Sequence, residues 1–561
     1  MPQLRKYNST ANIEAKVVVN INNGWSEHQL KNGYILYKGN FSSYEHELND
    51  FLTLFKDGAV REGDIIDHID RIRGNFSIII KMDDCIVASV DRIRSTPLYF
   101  IDEGEVIFIT DDINFFKKNG HELIISNNSR LSILMSGYTL FEDTLYAGVK
   151  SFSPGQILFC CSGSVNSRNI NNFQTWFNSN NEARTKSLDL MCSEFNSVIL
   201  EVMSNTIKSL EGRQVVVPLS GGYDSRLIVS LLKHYNYENV ICFTYGMVDN
   251  FEAISAKKIA DKLGYKWVFI DLNIKEQRYF YKSDEFSSYL KYADTIDSTP
   301  YYQGLFAVKY LKEKKIVDFN AVFINGNTGD FITGGHISDY YQYCNSDTID
   351  SKVYSKIIDK YYSLWGYLKT PSNKSKIINK IKSSHKYLEN KYDADINICD
   401  FIYYYEFVNR QSKYVIQGQK IFEYYGYEWR MPLWDSKMIE FWSSVPNNYK
   451  NEQFLYKKTI EKYNYSNVWN EKEDVNRYYI SSSLIKYTRL LFKLLVCVLT
   501  GGSCKSWDRI DRSAFYYFYD ITRMLCSTPY WKVIFSIFRY PRHSVAFDAE
   551  KYISSHERPY K

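Results

Sequence analysis

Residues 215–229 read VVVPLSGGYDSRLIV, and no other stretch constrains the chain as tightly. An apolar run of the kind that forms a buried parallel strand ends at Leu219. Ser220, Gly221, Gly222, Tyr223, Asp224 and Ser225 follow, and then an apolar helix pattern begins. Two glycines let the backbone turn tightly and approach an anion. The helix start points free N–H groups at that anion, assisted by the helix dipole. Ser220 and Ser225 add hydroxyl donors. A carboxylate at Asp224 repels phosphate unless it holds a Mg²⁺ ion that bridges to the phosphate oxygens. A plain turn capped by Asp or Ser explains two glycines, but not the whole string between strand and helix. The GxxxxGK[ST] loop is excluded, because no glycine in the chain is followed by lysine.

The flanking segments predict a doubly wound parallel sheet. A helix over about 184–209 leads to strand QVVVPL, helix DSRLIVSLLKHY, strand VICFTYG, helix EAISAKKIADKLG and strand WVFIDL. Beyond residue 275 the pattern is largely helical, with one strand-like run, AVFING, at 321–326. Residues 16–180 instead alternate in short β-type runs (YILYKGNF, NFSIIIKM, DCIVASV, EVIFIT), and the Asn- and Ser-rich residues 163–183 read as a linker. The expected division is 1–180, 181–480 and a helical extension 481–561.

Composition narrows the class further. The chain carries 49 Tyr and 34 Phe, read as a general aromatic habit, so the Tyr- and Trp-rich segments YYSLWGY and YYEFVNRQSKY are expected in the core. A net charge of +5 without a basic patch argues against nucleic acid as a partner. Ten cysteines at scattered spacings, with no CxxC, fit a reduced cytoplasm better than a disulfide framework. The N-terminus has no signal-peptide core, and the longest apolar stretch, Leu490–Leu499, is interrupted by Lys493 and too short to span a bilayer. The surrounding LIKYTRLLFKLLVCVL allows a membrane-surface role, but packing against the core is the expectation.

SGGYDS resembles the signature of the ATP pyrophosphatase (PP-loop) families, which cleave ATP between the α- and β-phosphates. Two further segments resemble the asparagine synthetase branch. FINGNTGDFITGGH (323–336) matches it in register at Gly326, Asp330, Gly334 and Gly335; GYEWRMPLWDSKMIEFWSSVP (426–446) matches at Glu428, Arg430, Pro432, Leu433 and Asp435. The resemblance implies ATP and Mg²⁺ as cofactors. Asp224 and Asp330 would be the metal ligands, and the loop residues 219–222 and 224–225 with Gly326 would hold the nucleotide. Tyr245 and Gly246 would flank the adenine, with backbone contacts from Leu219. A charge-stabilising lysine would be Lys472, with Lys450 and Lys457 as rivals. Arg430 and Asp435 are expected to be structural, and Arg410 either holds a substrate anion or pairs with Glu406, four residues earlier on the same helix face. Phe331 stands where the family has Glu. Asn327 stands where relatives place a Glu or Tyr, and it cannot act as a general base.

GNFSIIIKMDDCIVASVDRIRSTPLYF (74–100) resembles class II glutamine amidotransferases at Gly74, Phe76, Asp91, Arg92, Pro97, Leu98 and Tyr99. That implies an N-terminal Ntn-type αββα sandwich. Its nucleophile is missing: the sequence opens Met1-Pro2-Gln3, and the RHRGPD and NGEIYN strings have no counterpart. The expected activity is therefore an ATP-dependent amide ligase without glutaminase. Its substrates would be a small-molecule or peptide carboxylate and ammonia or an amine, as in β-lactam synthetase and the lasso-peptide cyclases. Asparagine synthesis from ammonia, a non-catalytic nucleotide-binding member and a tRNA-modifying enzyme are the other readings weighed. A homodimer stays open.

Overall fold

The computed structural model describes residues 14–557 except 42–44, 56–59, 84, 104, 119–121, 162–163, 174, 178–185, 249, 345–350, 470–482, 500 and 502–503. The N-terminal part is a four-layer sandwich. One sheet of six antiparallel strands has the order β10-β9-β5-β4-β3-β2. Its members are β2 (Ser26–Leu30), β3 (Gly33–Asn40), β4 (Asn75–Met82), β5 (Cys85–Val90), β9 (Gln156–Cys161) and β10 (Ser164–Asn169). The facing sheet has the order β1-β7-β6-β8, from β1 (Glu14–Val17), β6 (Tyr99–Asp102), β7 (Val106–Thr110) and β8 (Val149–Ser151).

Side-chain alternation explains the layers. Along β4, Phe76, Ile78 and Ile80 pack with the helices α1 (Glu45–Leu54) and α2 (Glu62–Arg71), while Ile79 points into the space between the sheets with Ala88, Phe100 and Ile107. Both faces are covered, so the run Ile78-Ile79-Ile80 is apolar without a break. The outer face of the smaller sheet is covered partly by the C-terminal helix Val545–Glu557, through Ala549, Tyr552 and Ile553. The last described helix thus packs on the N-terminal sandwich.

The second sheet system is parallel, in the order β13-β12-β11-β14-β15. It contains β11 (Val215–Pro218), β12 (Val240–Gly246), β13 (Lys266–Asp271), β14 (Val322–Ile324) and β15 (Glu428–Arg430). Helices α3 (Leu188–Lys208), α4 (Tyr223–His234) and α5 (Phe251–Leu263) belong to it. β11 is central and buried, as its valines require. This is the mixed α/β architecture expected, with a largely helical remainder.

Four expectations need correction. Residues 164–169 are not linker but the edge strand β10, hairpinned onto β9; its polar composition reflects an edge with little to bury. Glu428–Arg430, read only as a motif, is a strand. Cysteine spacing concealed two pairs: Cys85 is joined to Cys161, its register partner on neighbouring β5 and β9, and Cys344 to Cys399. The helix α6 (Ser483–Leu499), expected in the core, buries only Val496. The aromatic segments do pack inside: Trp365, Tyr403, Tyr404 and Tyr405 are all buried. No helix among the described residues is long and apolar enough to cross a membrane.

The C-terminal helix is pinned by a charged pair. His556 Nε2 donates to Asp294 Oδ2 at 2.9 Å. Burial pulls the imidazole down, but the Asp294 charge and hydrogen bond outweigh it and raise its pKa. Burial likewise raises Asp294, and His556 more than reverses this. A raised His stabilises fully below its ordinary value of 6.5 and loses that contribution as pH rises through the folded value; a lowered Asp acts fully above 3.8. The pair is therefore strongest between those values. His556→Gln is expected to cost about 1.5–3 kcal/mol near pH 5.5, and less as pH rises above 6.5 and through the raised folded value. Thermal unfolding of both proteins across that range checks it.

Candidate active site

β11 and β14 are adjacent, with Val215 opposite Val322 and Val216 opposite Phe323, so the loops leaving their carboxyl ends meet. The loop after β11 carries Ser220–Asp224 and the loop after β14 carries Gly326–Asp330. Helix α4 begins at Tyr223, which places Asp224 and Ser225 in its first turn, one step earlier than expected. Ser225 Oγ accepts from the Ser220 N–H at 3.1 Å, and Ser220 Oγ accepts from the Gly222 N–H at 3.2 Å, so the two hydroxyls brace the loop. Arg226 donates to the Gly221 carbonyl at 2.9 Å and fixes the turn from behind.

The contact between the two loops depends on glycine. A Cβ on Gly326 would lie 2.7 Å from the Asp224 Cβ, and one on Gly329 would lie 2.5 Å from the Asp224 carboxyl carbon. This proximity lets the Asp330 backbone N–H donate to Asp224 Oδ2 at 3.0 Å, while Tyr456 donates to Asp224 Oδ1 at 2.9 Å. Gly329→Ala is expected to push Asp224 and the buried Leu433 off their positions, lowering turnover about 10²-fold and stability by about 1–3 kcal/mol. Steady-state kinetics with a melting curve tests this.

Asp330 is exposed at the cavity side and belongs to a charged relay. His336 Nε2 donates to Asp330 Oδ2 at 3.0 Å, and His336 Nδ1 donates to Glu406 Oε1 at 2.6 Å. Glu406 also accepts from Tyr361 at 2.7 Å and from Arg410 at 3.3 Å, the helical pair that was one of the two roles open for Arg410. Burial and then the Asp330 charge push the Asp224 carboxyl up to about 7, against its two hydrogen bonds. Burial would raise Asp330 too, but the His336 hydrogen bond and charge hold it below the ordinary range. Glu406 is buried, yet His336 and Arg410 hold it down to about 2; burial would lower His336, and the two carboxylates instead raise it to about 9.

Leu219, Ser220, Gly222, Asp224, Ser225, Tyr245, Gly326 and Asp330 line one cavity of about 440 Å³, at the carboxyl end of the sheet. Gly221 lies in the loop beneath it. Gly246 closes β12 with φ 144°, and a Cβ there would lie 2.9 Å from the Ile521 side chain. Leu219 is already engaged: its N–H donates to Phe243, and its carbonyl accepts from Thr244 at 2.7 Å. Lys472 lies outside the described residues. Lys450 is buried elsewhere, over the Tyr403 ring at 4.6 Å, and burial pulls its pKa down to about 8. Arg430 pairs with Glu428 at 3.0 Å, and Asp435 caps the helix Ser436–Ser444, both structural as expected.

Sequence reasoning missed His336, Glu406 and Tyr456 as partners of the carboxylates, and Ile521 and Thr522 as part of the wall. The histidine beside Gly334-Gly335 was a signal for the first; the rest come from distant segments. Arg410 and Gln411 reach the cavity from a wide π-helical stretch, Phe407–Val415, a form that recurs at functional sites. Phe331 does not face the cavity: it stacks on Tyr403 with ring centroids 4.9 Å apart, as an apolar core residue.

The family model for asparagine synthase matches residues 206–465, the span that contains every element of this cavity except the segment at Ile521 and Thr522. This span, somewhat under half of the chain, is similar to asparagine synthase. A comparison with curated proteins yields no match. Among solved structures, the NH3-dependent NAD synthetase from Campylobacter jejuni aligns at 15% identity and TM-score 0.22, covering 42% of this chain and 97% of its own. A glutamine phosphoribosylpyrophosphate amidotransferase from B. subtilis aligns at 11% and 0.19, covering 46% and 75%.

Proposed function

We propose that this protein is a member of the asparagine synthase superfamily that adenylates a substrate carboxylate at the expense of ATP and then passes the acyl group to ammonia or an amine. The carrying observation is the convergence of Asp224 and Asp330 at the Ser220–Ser225 loop, in one cavity at the carboxyl end of the sheet. Among the described residues no group of three or more acidic, His or Cys side chains is arranged to hold a metal. Two carboxylates are nevertheless what a Mg²⁺–pyrophosphate needs, since Mg²⁺ takes one or two carboxylates and completes its shell with phosphate oxygens and water. Bound there, the ion would neutralise charge on the departing pyrophosphate.

The chain's own groups supply the rest. The start of α4, beyond the braced Ser220 and Gly222 N–H groups, receives phosphate oxygens, with Leu219, Tyr245 and Gly246 beside the nucleobase. His336 and Glu406 hold the Asp330 carboxylate in orientation. The carboxylate oxygen of the substrate attacks the α-phosphorus, the bond to pyrophosphate breaks, and an amine then displaces AMP from the acyl-adenylate. Lys472 is proposed to stabilise charge on the reacting phosphate.

The N-terminal sandwich is proposed to have no glutaminase activity. Its described cysteines, Cys85, Cys160 and Cys161, sit on the neighbouring strands β5 and β9. Cys85 and Cys161 are bonded to each other, and burial pushes the Cys160 thiol up to about 12, leaving no thiolate to attack glutamine. The test is pyrophosphate release with a panel of carboxylates and amines. Release that depends on a carboxylate supports the proposal, and nucleotide binding without turnover across the panel overturns it.

A further inference from the structure

Helix α6 is anchored by one face only. Val496 is buried with Trp507, Phe515 and Tyr519, and Phe492 meets the Phe515 ring at 5.8 Å. Arg489 turns the same way, donating to both oxygens of Asp511 at 2.6 and 2.7 Å. At about 100° per residue, the opposite face carries Tyr487, Leu490, Leu491, Leu494, Leu495 and Val498. Each leaves more than half of its surface exposed, Leu495 the least at 51% and Val498 the most at 81%. Soluble monomers rarely expose contiguous apolar patches larger than a few hundred Å². Lys486 and Lys493, seven residues apart and both exposed, run along one edge of this face.

The charge pattern names the occupant. The helix contains Lys486, Arg489 and Lys493 and no acidic residue. A second copy seated face to face would bring lysines toward lysines with no carboxylate on the helix to neutralise them. An anionic bilayer supplies both an apolar layer and the missing negative charge. The neighbouring helix Tyr530–Phe535, whose Tyr530 hydroxyl donates to the Ala514 carbonyl at 2.8 Å, repeats the composition. Trp531, Phe535 and, just beyond it, Phe538 are 59%, 73% and 91% exposed, and Lys532 is exposed among them. Neither helix is long and apolar enough to span.

We infer that the extension docks this protein on the surface of an anionic lipid bilayer, with α6 lying in the interface. The helix is about 25 Å long, so it would lie along the headgroup boundary with its lysines toward the phosphates. Ile521 and Thr522 of the same extension line the catalytic cavity, so docking would hold that cavity near the membrane. The inference concerns binding alone and stands apart from the proposed reaction.

The experiment is flotation of the full chain with vesicles of phosphatidylcholine, alone or with 30% (~ one anionic headgroup in three) phosphatidylglycerol. The chain is expected to float with the anionic vesicles and to be released by high salt. Leu491→Glu/Leu494→Glu, at exposed positions that leave the fold intact by circular dichroism, is expected to abolish flotation. Lys486→Glu/Lys493→Glu is expected to weaken it about tenfold or more. Wild type remaining with the lipid-free fraction overturns the inference, and so does undiminished binding by the leucine double variant. Equal flotation on neutral vesicles overturns the anionic assignment. A dimer dissolved by the leucine variant, without flotation, assigns the face to a second copy instead.

Discussion

Asp330→Asn is expected to lower carboxylate-dependent pyrophosphate release by about 10²–10³-fold while costing only about 1 kcal/mol of stability. The two halves of this expectation come from different atoms. Asp330 supports the adjoining loop through its backbone N–H, which reaches Asp224 and survives the substitution. Its side chain is exposed and accepts from His336 at one oxygen, at 3.0 Å, and from the Phe331 N–H at the other, at 2.8 Å, so an amide keeps one of the two. What is lost is a formal charge where the metal–pyrophosphate would sit. Mg²⁺-dependent enhancement of ATP binding should disappear with it. Asp224→Asn should match the kinetic loss. If either variant retains wild-type turnover, the assignment of that carboxylate to pyrophosphate fails.

Arg94→Met is expected to destabilise the protein by about 3–5 kcal/mol, because it strips one partner from a fully buried ion pair. Arg94 Nη2 meets Asp297 Oδ2 at 2.5 Å, with neither side chain exposed. Arg94 also donates to the Ser412 carbonyl at 3.2 Å, and Ser151 donates to the same Asp297 oxygen at 3.0 Å. Nearby, Lys413 donates to Thr139 Oγ1 at 2.9 Å and to the Asp143 carbonyl at 3.0 Å; burial pulls its pKa down to about 7. These groups lie on the N-terminal sandwich on one side and on the synthase part on the other, so the pair is a joint between them. Asp297→Leu should cost a similar amount, and the double variant less than the sum, since no unpaired charge then remains. Denaturant midpoints of the four proteins test this. Additive losses would show that the two side chains act independently.

Much of the fold follows from local pattern. VICFTYG is β12 residue for residue, and the helices after β11 and β12 fall where apolar periodicity placed them. Where the reading failed, tertiary contact was the missing information. β10 is polar because an edge strand buries little. Cys85 and Cys161 are 76 residues apart and meet only through strand register. The apolar α6 looked like core because composition does not tell a covered face from an exposed one.

The sequence by itself determined the phosphate-loop string, the second acidic loop and the parallel sheet that carries both, since these are short-range chemistry. It also pointed to a structural role for Arg430 and Asp435, and left Arg410 open between a substrate anion and Glu406. Only the tertiary structure decided that Asp224 and Asp330 meet, because that depends on β11 and β14 being neighbours and on two glycines allowing their loops to touch. It alone decided that His336, Glu406 and Tyr456 orient the carboxylates, that the extension supplies a cavity wall, and that α6 faces outward. The physical reason is the same in each case: these are contacts between segments far apart in the chain, set by packing and register rather than by any local preference.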